Sequence, residues 1–237
     1  MSEFMAEYIG TTLLLVLGQG VVANVLLNKT KGQNAGLLVI TLGWAVAVFV
    51  GVYACSTLGG PGHLNPAFSI ATAYLGKISW NTAGLYILAQ LAGAITGSIL
   101  IWLAYRLHYN ETHDAETILA TFSTGPAIKS TVDNLITEAI GTLVLVLGAL
   151  LMTPASVKLG TLDALPVALL VLGIGVSLGG PTGYAINPAR DLGPRIAHSL
   201  LPIKGKSGGN WPYAWIPVAG PVLGALLAAL VYGQIHG

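Results

Sequence analysis

Hydrophobic residues run along the chain in six long blocks, with shorter polar stretches between them. The blocks cover residues 4–27, 35–56, 81–106, 131–153, 164–180 and 213–235. A helix that crosses the hydrocarbon core of a bilayer needs roughly 20 consecutive, mostly apolar residues. Each block comes close to that length, so the pattern predicts six transmembrane helices.

Polar connections separate most of these predicted helices. Three of them are "NKTKGQN" at 28–34, "HYNETHDAET" at 108–117 and "LPIKGKSGGN" at 201–210, and "TPASVKLGTLD" at 153–163 is a tighter one. Glycine, asparagine, aspartate and serine recur in them, as is typical of turns and loops. We therefore expect these four stretches to lie outside the hydrocarbon core.

Two further apolar segments, 64–76 and 186–200, are too short to cross a bilayer. The first begins near Asn65-Pro66-Ala67 and the second near Asn187-Pro188-Ala189, and a glycine-rich run precedes each of them. Asparagine is a good N-cap and proline fits the first helical turn. The pattern predicts two re-entrant half-helices, whose preceding non-helical backbone must be surrounded by protein or by a watery cavity.

The second half of the chain repeats the first. "AEYIGTTLLLVLG" at 6–18 resembles "TEAIGTLVLVLGA" at 137–149, and each copy continues with a second block, a half-helix and a third block. An odd number of spans in each copy makes the two copies face opposite sides of the membrane. We expect an all-α membrane protein of six transmembrane helices plus two half-helices. It would form a single domain over 1–237 with inverted repeats at about 1–108 and 131–237.

Composition supports a lipid environment. The chain is 54% hydrophobic and only 8% charged, with a mean hydropathy of +0.76, whereas a soluble domain carries about 25% charged residues. The net charge of +1 gives nucleic-acid binding no electrostatic support. A single cysteine, Cys55, excludes an internal disulfide and a cysteine-based metal cluster. We expect the lipid bilayer as surroundings, and no metal, no cofactor and no nucleic acid.

The start of each half-helix presents free backbone N–H groups that carry about half a positive charge. Two such ends that meet in mid-membrane would oppose cations and protons, while the Asn65 and Asn187 amides donate to the oxygens of a neutral solute. A charged arginine side chain is energetically unfavourable within the hydrocarbon core, so Arg190 should face a cavity. The alternative is an ion pair between Arg190 and Asp191 at the membrane surface.

Three other polar residues lie close to these features. Glu7 and Glu138 occupy equivalent places in the two copies, and buried membrane carboxylates suggest a function such as a proton relay. His63 either lines the inner mouth of a pore or hydrogen-bonds the loop backbone, and we favour the second interpretation.

These residues carry a resemblance to the major intrinsic protein family, the aquaporins, over nearly the whole chain. The most specific match is the pair of "NPA" boxes within "HLNPA" at 63–67 and "NPARDLGP" at 187–194. Asp191 directly after Arg190 resembles the glycerol-facilitator branch, as do Arg195, Pro217-Val218 and "TFSTGP" at 121–126. The resemblance implies an hourglass pore in each protomer.

The resemblance also implies a homotetramer in the cell membrane, with several spans per chain and cytoplasmic termini. The distribution of lysines between the loops favours the opposite orientation. For Glu7 and Glu138 the family suggests a scaffold role, in which each carboxylate accepts backbone N–H bonds from a non-helical loop.

A selectivity filter of Trp44, Gly175, Tyr184 and Arg190 follows from the same resemblance. Gly175 would provide space, Trp44 and Tyr184 would form an apolar corner, and Arg190 would bind hydroxyls on the opposite side. Glycerol facilitators usually have phenylalanine where Tyr184 stands. The added hydroxyl would narrow the opening or favour a solute with an extra polar group.

These observations predict a passive channel, not an enzyme, for small neutral solutes such as glycerol and similar polyols. Water is expected as a co-permeant, and protons and ions are expected to be excluded. One alternative is a facilitator of lactic acid or another small uncharged acid. A second, from another class, is an ion-coupled transporter that uses Glu7 and Glu138.

Overall fold

The structure, a computed structural model, describes residues 1–152 and 160–236 and consists over these residues of helices and connections, without strands. The α-helices are α1 (Glu3–Leu26), α2 (Leu37–Thr57), α3 (Pro66–Tyr74), α4 (Trp80–Glu111), α5 (Ala115–Ala120), α6 (Thr131–Leu151), α7 (Ala164–Leu178), α8 (Pro188–Leu200) and α9 (Ile216–His236). There are also two 3₁₀ turns among the described residues. Gly160–Asp163 directly precedes α7, and Trp211–Tyr213 lies just before α9. The part of the predicted 153–163 connection before residue 160 lies outside the described residues.

Six helices are long and apolar enough to cross a membrane: α1, α2, α4, α6, and α7 and α9 together with the turns before them. Their outer faces carry large apolar side chains, among which Leu38, Leu88 and Leu107 are 68%, 59% and 72% exposed. A water-soluble surface does not collect such leucines into long rows, whereas lipid tails accept them. The predicted all-α membrane fold with six spanning helices is confirmed.

Helix α4 is longer than the sequence pattern predicts. It has 32 residues and ends at Glu111, so the polar connection expected from residue 108 begins inside a helix, and the short helix α5 follows it. Tertiary contacts hold this last turn in place: the Tyr109 ring lies 5.7 Å from that of Phe122, and the Tyr109 hydroxyl bonds Thr121 Oγ1 at 2.8 Å. Such contacts override the polar composition of the turn.

Glycines bring the spanning helices into backbone contact in two matching places. On α4, a Cβ added at Gly93 would lie 2.5 Å from the carbonyl oxygen of Tyr8 on α1. On α9, a Cβ added at Gly224 would lie 2.1 Å from the carbonyl oxygen of Ala139 on α6. Small residues permit this close approach. In lipid the hydrophobic effect does not drive helices together, and van der Waals contacts between closely packed helices stabilise their association instead. The result is two closely packed pairs, α1 with α4 and α6 with α9.

The two predicted short helices are present as α3, of nine residues, and α8, of 13 residues. Each begins at the proline after an asparagine whose backbone is extended and whose side chain caps the helix. Helix α3 packs against α4 and α9, while α8 packs against α4 and more lightly against α9. Both are too short to span a bilayer, and both lie against helices that do.

Candidate functional site

An elongated cavity runs between α2, α6, α7 and the two short helices. Its lining is mostly apolar, with Leu14, Val48 and Val171 among the wall residues. Of the residues predicted for the site, the cavity brings together Trp44, His63, Asn65, Tyr184, Asn187 and Arg190. The other predicted residues, Gly175, Pro66, Ala67, Pro188, Ala189, Glu7, Glu138 and Asp191, do not line it and act from behind the wall.

The oxygen of each asparagine side chain is used to start its own helix. Asn65 Oδ1 accepts from the N–H of Ala67 at 2.9 Å, and Asn187 Oδ1 accepts from the N–H of Ala189 at 3.0 Å. The N–H of Arg190 adds a second donor to Asn187 Oδ1 at 3.2 Å. Capping satisfies donors that the first helical turn otherwise leaves free. The two side chains are therefore fixed with their oxygens turned towards their own helices.

The nitrogen of each asparagine side chain reaches across to the other half of the chain. Asn65 Nδ2 donates to the carbonyl of Ile186 at 2.9 Å, and Asn187 Nδ2 donates to the carbonyl of Leu64 at 2.8 Å. The short helices α3 and α8 therefore meet at their N-terminal ends, as expected from the paired triplets. This crossed pair of bonds fixes the distance between the two helix ends.

One N–H of each asparagine amide remains for a solute. A primary amide has two N–H donors, and Asn65 and Asn187 each use one of them for the crossed bonds. Both residues line the cavity, so the remaining donors border its interior. Their oxygens are turned towards the helix ends and engaged in capping, so the amide groups meet the cavity mainly as donors. A hydroxyl or water oxygen suits such a site, whereas a cation finds no ligand in it.

The backbone before each asparagine is strained. Leu64 and Ile186, the residues directly before the two asparagines, have φ of +48° and +45°. Three residues before the first asparagine, Gly62 has φ of +72°, and at the equivalent place in the second half Tyr184 has φ of +40°. The left-handed region costs a non-glycine residue about 1–2 kcal/mol. Tyr184 thus occupies a position that glycine would fill without strain, which directs attention to its side chain.

Glu7 holds the first strained loop from behind. It is fully buried, and its two carboxylate oxygens accept from the backbone N–H groups of His63 at 2.7 Å and Leu64 at 2.8 Å. Gln90 Nε2 donates to the same carboxylate at 2.8 Å. A carboxylate held by several donors is a strong anchor. Glu7 therefore stabilises a loop conformation that the chain would not adopt alone.

Glu138 holds the second strained loop in the same way. Its oxygens accept from the backbone N–H groups of Ala185 at 3.0 Å and Ile186 at 2.8 Å, and only 1% of the residue is exposed. Neither Glu7 nor Glu138 borders the cavity. The geometry is that of a scaffold, with both oxygens of each carboxylate already engaged by donors.

His63 lines the cavity below the crossed asparagines. Its Nδ1 lies 3.0 Å from the hydroxyl oxygen of Ser69, while its ring contacts those of Phe68 at 5.1 Å and Tyr86 at 5.3 Å edge-on. The bond to the loop anchor comes from its backbone N–H and not from its imidazole. The imidazole thus lines the cavity and bonds a side chain, and does not bond the loop backbone as we favoured from the sequence.

Trp44, Tyr184 and Arg190 border the same cavity. The guanidinium carbon of Arg190 sits 4.3 Å from the centre of the Trp44 ring, a cation–π contact. Within the described part of the chain, the guanidinium has no hydrogen-bond partner, and neither do Trp44 Nε1 and the Tyr184 hydroxyl. An aromatic wall thus faces a group with five N–H donors and no acceptor.

Glycines form the seats of the two aromatic side chains. A Cβ added at Gly18 of α1 would lie 2.3 Å from the Trp44 ring. A Cβ added at Gly175 would lie 3.1 Å from Tyr184 Cζ, and one at Gly179 would lie 2.7 Å from Tyr184 Cδ1. The sequence argument found Gly175 but missed Gly18 and Gly179. Glycine inside an apolar span indicates close packing, yet it does not reveal which side chain fills the space.

Asp191 pairs with Arg195 and not with Arg190. Arg195 donates to Asp191 Oδ1 through Nη2 at 2.7 Å and Nε at 3.0 Å, and both side chains are almost wholly buried. Asp191 Oδ2 accepts from the N–H and the hydroxyl of Thr124, both at 2.7 Å. Of the two possibilities raised by the sequence, Arg190 follows the first: it faces a cavity.

Arg195 extends this network to a third segment. It donates to the carbonyls of Gly209 at 2.6 Å and Thr124 at 3.0 Å. Helix α8, the segment around Thr124 and the 201–210 connection are therefore tied together immediately behind Arg190. The sequence marked Arg195 only as a family feature. Its role as a buried junction depends on contacts between distant segments, which sequence spacing does not reveal.

No group of three or more histidine, cysteine, aspartate or glutamate side chains in residues 1–152 and 160–236 is placed to hold a metal ion. The carboxylates near the site, those of Glu7, Glu138 and Asp191, are instead engaged by backbone N–H groups and polar side chains. The arrangement can therefore bind and orient an uncharged solute, and it offers no set of groups for covalent chemistry.

Comparisons with known proteins agree with this geometry. The glycerol uptake facilitator protein of Streptococcus pneumoniae is 54% identical over 232 residues, which are 98% of both chains. The probable glycerol uptake facilitator protein of Thermotoga maritima is 50% identical over 235 residues, 99% of this chain and all of the relative.

A solved structure resembles the fold over nearly its whole length. The aquaglyceroporin from Plasmodium falciparum superposes with a TM-score of 0.88 at 30% identity, covering 99% of this chain and 96% of that one. A model of the family described as "Major intrinsic protein" matches residues 1–232. With its paired short helices and crossed asparagines, the chain belongs to the major intrinsic protein family.

Proposed function

We propose that this chain is a passive channel for glycerol and similar small neutral polyols, with water as a co-permeant. Support comes from relatives named glycerol uptake facilitators, at 54% and 50% identity, and from the likeness to an aquaglyceroporin. The observation that carries the proposal is the grouping of Trp44 and Tyr184 with the unpartnered Arg190 guanidinium on one cavity. A polyol has one carbon edge and one hydroxyl edge, which match these two kinds of surface.

In the proposed mechanism, a solute passes two sets of donors in turn. At the filter of Trp44, Gly175, Tyr184 and Arg190, its carbon atoms lie on the aromatic rings while its hydroxyl oxygens accept from the guanidinium. It then reaches the free N–H groups of Asn65 and Asn187. Each contact replaces a bond to water, so no step needs a cofactor, and release remains fast because the contacts are few.

The same groups would exclude protons and ions. The α3 and α8 helix ends point about half a positive charge each at the crossed asparagines, and Arg190 adds a full charge near the filter. None of the donors named above accepts a proton from a passing hydronium ion. These donors give a cation no ligand in exchange for the hydration it loses, which makes its passage unfavourable.

The rival interpretations are less well supported. A facilitator of lactic acid or another neutral acid would use the same cavity, but the relatives reported above are named for glycerol. An ion-coupled transporter would need Glu7 or Glu138 to exchange protons with the cavity, whereas both are turned to backbone donors outside its lining. We therefore keep the passive channel, and family membership makes the chain a transporter rather than an enzyme.

The proposal extends to the assembly. We propose inverted repeats at about 1–108 and 131–237, a homotetramer in the cell membrane and cytoplasmic termini. The matching roles of Glu7 and Glu138, and of Asn65 and Asn187, support the repeat. Crosslinking in membranes tests the tetramer, and labelling of cysteines introduced at exposed termini tests the orientation.

Light scattering from proteoliposomes tests the function directly. Vesicles that contain the protein should admit glycerol much faster than protein-free vesicles, in proportion to its concentration and without any ion gradient or membrane potential. Glycerol flux that saturates and follows a proton gradient would instead indicate a coupled transporter. Lactic acid entering faster than glycerol at low pH would replace the proposal with the neutral-acid facilitator.

A further inference from the structure

Three buried side chains form a stripe along one face of α8. Asp191, Arg195 and His198 follow one another at spacings of four and three residues, which places them on one side of a helix. Asp191 and Arg195 both bind Thr124. His198 contacts Phe122, with the two rings 5.3 Å apart and edge-on. The whole stripe therefore faces one short stretch of chain, residues 121–124, which we name the TFST segment.

Besides α8, the TFST segment is bonded to α5, where the N–H groups of Phe122 and Ser123 donate to the Leu119 carbonyl, and to α4 and α1. Thr121 Oγ1 bonds the Tyr109 hydroxyl at 2.8 Å, and the carbonyl of Phe122 accepts from Gln19 Nε2 at 3.1 Å. Thr124 bonds Asp191, the residue that directly follows Arg190 of the filter. Any displacement of the TFST segment thus acts on the backbone that carries Arg190.

His198 is placed where a positive charge would be unfavourable. It is fully buried, and neither ring nitrogen has a hydrogen-bond partner among the described residues. The charged groups that act on it are both cationic, Arg195 on the same helix and Lys206 on the 201–210 connection. Lys206 Nζ donates to the carbonyl of His198 itself at 2.6 Å.

Among the residues that the structure describes, no negative charge is free to compensate a proton on this ring. The carboxylate of Asp191 is already engaged by Arg195 and Thr124. The ring that packs on His198, that of Phe122, is uncharged, and behind it lies the phenol of Tyr109, which is neutral and bonded to Thr121. A proton on His198 would therefore create an unpaired buried cation beside two others.

We propose that His198 is a positioning residue of the filter: its neutral ring holds the TFST segment against α8, and protonation releases that segment and lowers solute flux. The inference rests on the proposed function, because it concerns how well the same filter conducts. It is a role in addition to those of the residues that touch the solute.

The direction of the pH effect follows from linkage. Burial, together with Lys206 and Arg195, lowers the pKa of His198 from its ordinary 6.5 to about 4. When the segment is released and the ring meets water, the pKa returns towards its ordinary value. The docked form is therefore favoured above pH 6.5, and it loses stability as pH falls from there towards 4. Within that window the ratio of released to docked segment rises about tenfold for each unit by which the pH falls.

Two measurements on reconstituted protein test the proposal. Hydrogen exchange at the Thr124 amide, which is bonded to Asp191, reports release of the segment after correction for the intrinsic exchange rate. Glycerol flux into vesicles with the same pH on both sides reports the filter and does not depend on orientation. Both are measured for the wild type, for His198→Phe, which keeps a ring but cannot bind a proton, and for His113→Gln, a control at an exposed histidine.

In the wild type and in His113→Gln, corrected exchange should rise about tenfold per unit below about pH 6, and glycerol flux should fall over the same range. In His198→Phe, exchange and flux, each normalised to its own value at neutral pH, should be flat. Corrected exchange that does not change with pH in the wild type would overturn the proposal, even if the His198→Phe protein failed to fold.

The same pH profile of flux in the wild type and in His198→Phe would also overturn it. Both outcomes differ from failure of the proposed function, in which the wild type at neutral pH would admit glycerol no faster than protein-free vesicles.

Discussion

At the scale of single residues, the proposed filter depends on glycines as well as on its large side chains, because the glycines leave room for the aromatic rings. Gly18 leaves the space into which the Trp44 ring fits, and Gly175 and Gly179 do the same for Tyr184. Tyr184 in turn accepts a left-handed backbone, with φ of +40°, in order to lie there. In the proposed filter, the width of the opening would therefore depend on the glycines that lie behind the aromatic rings.

We expect Gly18→Ala to change solute selectivity. Its Cβ would lie 2.3 Å from the Trp44 ring, so the indole, which borders the cavity, must move. Overpacking of this kind destabilises a protein by about 1–3 kcal/mol. The ratio of glycerol to erythritol permeability should rise, because the larger polyol is excluded first.

Gly84→Ala on α4 is the matched control, since nothing lies within 4 Å of its added Cβ. An unchanged permeability ratio in Gly18→Ala would mean that Trp44 does not limit the opening.

At the scale of elements, α8 combines two functions in 13 residues. Asn187 caps its first turn, which also carries Arg190. Another face of the helix carries the buried pair of Asp191 and Arg195. This pair anchors Thr124 and Gly209, which belong to segments far apart in sequence. A short helix inside a membrane protein is thus fixed by charge as well as by packing.

Asp191→Ala should be strongly destabilising. It would leave the fully buried Arg195 without its carboxylate, and breaking a buried pair by removing one partner costs about 3–5 kcal/mol. The midpoint of thermal unfolding in detergent should fall clearly, and glycerol flux should fall with it.

Lys29→Ala serves as the control, because it breaks the exposed ion pair with Glu111 and should leave the unfolding temperature nearly unchanged. Equal effects of the two substitutions would contradict the structural role given to Asp191.

Sequence patterns predicted the elements well where chemistry is local. Asparagine and proline at the start of α3 and α8 act within one helical turn, so the triplets located both short helices. The end of α4 was missed, because Tyr109 and Phe122 stabilise it through a tertiary contact. The role of Arg195 was missed for the same reason, since its partners at 124 and 209 become neighbours only in the folded chain.

At the scale of the whole molecule, glycines bring two pairs of spanning helices into close contact. Gly93 and Gly97 bring α4 against α1, and Gly220 and Gly224 bring α9 against α6. Hydrophobicity predicted that these helices exist, but lipid-facing and protein-facing positions have similar apolar composition in a membrane. Which helices pair therefore could not be derived from the block pattern.

Gly224→Ala should separate α9 from α6 and lower the stability of the whole fold. Its Cβ would lie 2.1 Å from a backbone oxygen, which cannot move without shifting the helix. We expect a loss of about 1–3 kcal/mol, read as a lower unfolding temperature in detergent. Gly233→Ala on the same helix is the control, because its Cβ would make ordinary contact with Leu75 at 4.0 Å. If both variants unfolded at the same temperature, the close approach at Gly224 would not be limiting.

The crossed bonds from Asn65 to Ile186 and from Asn187 to Leu64 have a consequence for biosynthesis. While the ribosome is still translating the second half, the Leu64 carbonyl and the Asn65 amide already exist without their partners. Buried polar groups of this kind are costly in a bilayer. A chain that stops before residue 186 thus leaves both groups without these partners, and synthesis of residues 186–237 supplies them.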